Sequence, residues 1–166
     1  MSNDEEIFFK WSPDYSVNIK TIDDQHKVLV DILNCLFVAV GKREGDKAIA
    51  GILEALMGYT QKHFTLEENL MRQAKYPELE SHMEEHRKLI KELDILTKKY
   101  MLEDKPIYFE MLKFLKTWLR AHIQGVDKKY STTLREAGFS VDAWEKEATA
   151  EFTAMSNSKK WWELWK

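Results

Sequence analysis

The chain has 166 residues, enough for one compact domain that buries a core without crosslinks. Its formal net charge of -3, with acids and bases interspersed, lacks the basic bias that neutralising phosphates requires, so no nucleic-acid partner is expected. A lone cysteine, Cys35, excludes an intrachain disulfide; within the apolar run LVDILNCLFVAV it is expected to be a small buried residue rather than a reactive thiol.

The N-terminal stretch MSNDEEIFFKW is acidic and lacks the basic flank and apolar run of a secretory signal. No segment reaches the length of a membrane span, so the chain reads as cytoplasmic. A first helix is expected after a cap at Thr21, with Ile22, His26, Leu29, Leu33 and Leu36 on one stripe, ending near Lys42 just past Gly41. A second opens around Gly45 and Asp46, carries Ile49, Ile52, Leu53, Leu56, His63, Glu67 and Leu70, and stops near Tyr76 because Pro77 disfavours helix before it. The third runs from Leu79 through His82, His86, Leu89 and Leu93 to the charged stretch around Asp104. Pro106 suits the first turn of the fourth, which continues through Leu112, Leu115, Leu119 and His122 to about Leu134.

Four long helices with short connections favour antiparallel neighbours. The expected fold class is therefore all-α, an up-down-up-down four-helix bundle with a C-terminal helical extension. Residues 1–137 form the bundle with its N-terminal arm, and 138–166 form the extension. In that extension Val141, Trp144, Ala148, Phe152 and Met155 share a helical face ahead of the Trp-rich KKWWELWK. The tryptophans suit packing against the bundle or an oligomer, a partner protein, or a membrane surface.

The chemistry lies in what interrupts the apolar stripes. One histidine on such a face is usually a satisfied core residue. Here all five, His26, His63, His82, His86 and His122, fall in register with inward positions on four different helices. Glu67 follows His63 by four residues, so at about 100° per residue the two share a face within roughly 40°. Glu68 is expected to turn outward. A buried carboxylate without a cation is costly, which argues for metal.

His82 and His86 repeat the four-residue step. Their segment HMEEH also fits the H-x-x-E-H pattern of inverted zinc peptidases, but that reading leaves His26, His63, Glu67 and His122 without a role. Imidazoles and carboxylates suit iron, and would also accept zinc or manganese. The histidine-rich shell differs from that of oxygen-activating carboxylate bundles, which pair Glu residues with Glu-x-x-His motifs.

The segments TIDDQH (21–26), HFTLEENLM (63–71), YPELESHMEEH (76–86) and WLRAHIQGVD (118–127) resemble the signature segments of bacterial hemerythrins, in order, over residues 8–134. The resemblance implies two iron ions per chain with an oxo or hydroxo bridge, and dioxygen as ligand. It implies His82, His86 and His122 on one iron, His26 and His63 on the other, and Glu67 and Asp127 bridging both. Reversible dioxygen binding for carriage, storage or sensing follows, with an oxygen-consuming enzyme as one natural partner. A di-iron peroxidase or nitric-oxide-handling protein would use the same ligands in a wetter pocket.

Two expectations about geometry go with this. The five-residue step from His122 to Asp127 would place the two about 140° apart on a regular α-helix, so a widened π-type turn helped by Gly125 is predicted between them. A dry wall is expected from Leu66, Leu70, Leu115, Trp118, Leu119 and Ile123, each of which equally suits ordinary core.

Overall fold

A computed structural model describes residues 7–103 and 108–157. Pro106 and the tryptophans of KKWWELWK lie outside the described residues. The helices are α1 (Lys20–Gly41), α2 (Asp46–Gln73), α3 (Leu79–Glu103), α4 (Tyr108–His122), α5 (Lys128–Glu136) and α6 (Asp142–Asn157). A π turn over Ile123–Asp127 joins α4 to α5, and the three together make the fourth rod of a four-helix bundle. Among the described residues there is no strand.

Apolar periodicity explains the bundle directly. The inward stripe of α1 (Ile22, Leu29, Leu33, Leu36) meets that of α2 (Ile49, Leu53, Leu56, Leu70), and all are buried. Leu93 and Leu96 of α3 and Met111, Leu112 and Leu115 of α4 complete the same core. Each such side chain stabilises the fold by about 1.5–3 kcal/mol relative to exposure. At the far end the hydroxyls of Tyr100 and Tyr108 lie 3.3 Å apart, so the end of α3 meets the start of α4 and the two run antiparallel.

Three helices end in the same way. Backbone bonds of 2.9 Å run from Glu44 N–H to Ala39 O, Tyr76 N–H to Met71 O and Phe139 N–H to Leu134 O, each closing a left-handed turn. The left-handed residues are Arg43 (φ 53°), Lys75 (φ 54°) and Gly138 (φ 73°). Gly41 is thus only the last residue of α1, and the strained position falls on Arg43.

Two sequence expectations need correction. Thr21 does not cap α1, which begins at Lys20 after Ile19. Its backbone N–H is instead satisfied by Glu145 Oε1 of α6 at 2.9 Å. Cys35 is exposed, because it shares the outward face of α1 with Asp31, one turn earlier.

The extension packs against the bundle. Trp144 and Ala148 of α6 are buried within the common core, and the Phe152 ring meets Tyr59 of α2 edge-on at 5.1 Å. Thr149 Oγ1 lies 3.2 Å from Thr21 Oγ1. At the other terminus the backbone of Phe9 pairs with the Asn34 amide in both directions, at 2.8 and 2.9 Å. No helix among the described residues is long and apolar enough to cross a membrane.

Candidate metal centre

The inward stripes of α1, α2, α3 and α4 converge polar groups at one level of the bundle. His26, His63, Glu67, His82, His86, His122 and Asp127 are each at most 4 % exposed, so the protein has removed water from all seven. Glu67 joins the two halves. Its Oε2 lies 3.6 Å from His63 Nε2, 3.7 Å from His82 Nε2 and 3.3 Å from His86 Nε2, while Oε1 lies 3.9 Å from His26 Nε2. Asp127 does the same from the opposite rod, with Oδ2 3.2 Å from His26 Nε2 and Oδ1 3.3 and 3.1 Å from those of His82 and His122.

The last contact depends on the π turn. On a regular helix His122 and Asp127 would diverge by about 140°, but the extra residue per turn through Ile123–Asp127 returns both to one face. Gly125 is not what permits it: a Cβ there would meet nothing within 4 Å, and its backbone is not left-handed.

Two donor sets emerge. Glu67, His82, His86, His122 and Asp127 form one, and His26, His63 and Glu67 the other. Within the first, His86 Nε2 lies 3.0 Å from that of His82 and 3.2 Å from that of His122. Two nitrogens about 2.1 Å from a shared ion stand about 3.0 Å apart at right angles and about 3.4 Å apart at a tetrahedral angle. Both spacings fall within the range that two nitrogens on one shared ion would show. His26 Nε2, Glu67 Oε2 and both Asp127 oxygens are buried without a hydrogen-bond partner, a cost that a pair of cations would remove.

Electrostatics point the same way. Burial and the facing Asp127 push the Glu67 carboxyl up, yet His63, His82 and His86 outweigh them and hold it well below the usual carboxylate range. Asp127 is likewise raised by burial but lowered further by His122, His26 and His82. Both are anionic, the charge a pair of metal ions requires. Burial pushes the His63 imidazolium down to about 3, so that ring is neutral and its Nε2 lone pair is available.

Three neighbours escaped the sequence reading. His63 Nδ1 lies 2.8 Å from Gln25 Oε1, His86 Nδ1 2.9 Å from Glu68 Oε1, and the Tyr130 phenol donates to Glu67 Oε1 at 2.7 Å. Glu68 is therefore not simply outward: its side chain is 20 % exposed and reaches sideways from α2 to α3. The adjacency of Gln25 to His26 and of Glu68 to Glu67 was visible, but nothing local signalled which ring each would meet.

A cavity of about 30 Å³ borders His26, His63, His122 and Asp127, and otherwise Leu29, Leu33, Leu56, Thr60, Phe64, Leu89, Leu93, Leu115, Trp118 and Leu119. That is room for one small molecule. Of the expected wall, Leu115, Trp118 and Leu119 line it; Leu66, Leu70 and Ile123 are buried elsewhere in the core.

The chain is similar to known proteins over most of its length. The profile of the hemerythrin HHE cation binding domain matches residues 17–134. A bacteriohemerythrin of Methylococcus capsulatus (strain Bath) is 33 % identical over 123 residues, covering 73 % of this chain and 92 % of its own. One from Stenotrophomonas maltophilia is 30 % identical over 125 residues, covering 75 % and 80 %. The crystal structure of a wild-type hemerythrin superposes with a TM-score of 0.68 at 31 % identity, over 76 % of this chain and 97 % of that one.

Proposed function

The chain belongs to the hemerythrin family, and from that premise we propose that it binds dioxygen reversibly at two iron ions held by His26, His63, Glu67, His82, His86, His122 and Asp127. The observation that carries this reading is the inequality of the two donor sets beside an apolar cavity. Three imidazoles serve one set and two serve the other, with Glu67 and Asp127 reaching toward both. The cavity borders both imidazoles of the poorer set, His26 and His63, and one of the three imidazoles of the richer set, His122.

A ferrous pair held by these seven residues would supply the two electrons that reversible dioxygen binding needs. The chain's residues do the rest. Glu67 and Asp127 offset the cationic charge, and Tyr130 fixes the orientation of Glu67 through one oxygen. Leucines and Trp118 keep bulk water from the cavity, which protects a bound ligand from protonation and loss. The zinc-peptidase alternative lacks its base, because Glu84 and Glu85 are about half exposed and pair with Arg87 and Lys88 on the outer face of α3.

The test is an absorption spectrum of the reduced, iron-loaded protein before and after air. Return to the starting spectrum on degassing supports reversible binding. Steady oxidation with consumption of peroxide supports an enzyme instead.

A further inference from the structure

His86 stands apart from the other imidazoles in what its second nitrogen meets. Its Nδ1 lies 2.9 Å from the Glu68 carboxylate, whereas His63 Nδ1 meets the neutral amide oxygen of Gln25. The Nδ1 atoms of His26 and His82 have no hydrogen-bond partner. A carboxylate accepts, so Nδ1 of His86 carries the proton and Nε2 presents its lone pair to the centre.

The ring is also fixed on its face. Phe64 stacks on it in parallel at 3.6 Å with 3° between the planes. Glu68 lines a groove between α2 and α3 together with Thr65, Arg87 and Ile90, while Glu67, the preceding residue, points inward. Face and edge together leave His86 one orientation, with Nε2 between those of His82 and His122.

We propose that Glu68 is a positioning residue that locks the tautomer of His86 and strengthens its Nε2 as a donor. Of the two metal positions, the one under His82, His86 and His122 is thereby the more tightly held and the more easily oxidised. An imidazole whose far N–H is bound by a carboxylate is a more basic ligand, and loss of such a partner weakens metal binding by about ten- to a hundredfold. The position under His26 and His63 receives only the Gln25 amide. The two differ in donor strength as well as donor number. This rests on the di-iron reading above.

The test compares iron-loaded wild type, Glu68→Gln and, as a control, Glu84→Gln, whose carboxylate faces solvent. Iron loss to a chelator and the reduction midpoint are measured, with melting in excess chelator as the check on folding. Gln retains an acceptor oxygen, so Glu68→Gln should melt like wild type in chelator and load two irons. It should then release iron about ten- to a hundredfold more readily and show a more positive midpoint, with Glu84→Gln unchanged. Unchanged iron retention and midpoint in Glu68→Gln would overturn the proposal, as would a shift of equal size in Glu84→Gln. A matching drop in chelator melting would assign Glu68 a structural role instead. Failure of wild type to hold two irons would sink the di-iron reading itself.

Discussion

Tyr130 donates a 2.7 Å hydrogen bond to Glu67 Oε1 across 63 residues of sequence, tying the fourth rod to a buried carboxylate of α2. Burial and the charges of Glu67 and Asp127 hold the phenol well above its ordinary pKa, so it remains a donor at any working pH. Tyr130→Phe should cost about 1–3 kcal/mol, because it leaves a buried acceptor unsatisfied. The loss should be largest with metal removed and smaller with iron loaded, when cations face the same carboxylate. Paired thermal melts with and without chelator measure the difference; equal losses would contradict it.

The π turn should depend on residue number and not on glycine. Gly125→Ala should retain full metal content and gain up to about 1 kcal/mol of helix stability, since a Cβ there has open space. Deleting Gly125 should abolish the π turn and leave a regular helix in which His122 and Asp127, then four residues apart, still share a face within about 40°, so metal content should again be retained. Metal analysis of the two variants decides.

Proton release should accompany metal uptake. In His82 burial lowers the imidazole pKa, but Asp127 and Glu67 more than offset it, raising it to about 9. A folded value above the unfolded one means that these contacts contribute stability fully below about pH 6.5 and lose it as pH rises through about 9. A metal ion must displace that proton. Cobalt(II) added to weakly buffered apoprotein at pH 7 should acidify the solution, and apparent affinity should rise from pH 6 to 9. Binding without proton release would refute this.

Trp118→Ala or Leu119→Ala should admit water to the cavity and speed autoxidation, with the oxygenated spectrum decaying faster in air. Glu84→Gln and Glu85→Gln should alter neither rate nor affinity, because both side chains face outward. Time-resolved absorption after exposure to air compares the four.

The helix α6 should act as a brace that supplies no ligand. Trp144→Ala should cost about 3–5 kcal/mol, as for other large core truncations. It should also speed amide exchange at Thr21, whose N–H is bonded by Glu145, while leaving two irons per chain. A chain ending after Gly138 should behave likewise. Loss of iron in either would place α6 within the centre's support.

The periodicity of α1 to α4 was legible because each helix carries its own azimuthal record. Spacings of three and four mark which side is buried whatever it packs against, so His26, His63, His82, His86 and His122 could be placed inward one helix at a time. The π turn was legible once the family resemblance made Asp127 a ligand beside His122, because a five-residue step does not return to one face of a regular helix. Edge positions carry no such record. Whether Glu68 reaches His86, Gln25 meets His63 or Tyr130 finds Glu67 depends on which helices become neighbours and at what height. The capping of Thr21 by Glu145 spans 124 residues, and Cys35 faces out although its flanking run is apolar. Only tertiary packing decides these, because periodicity fixes a side chain's angle about its own axis and is silent about the partner across the gap.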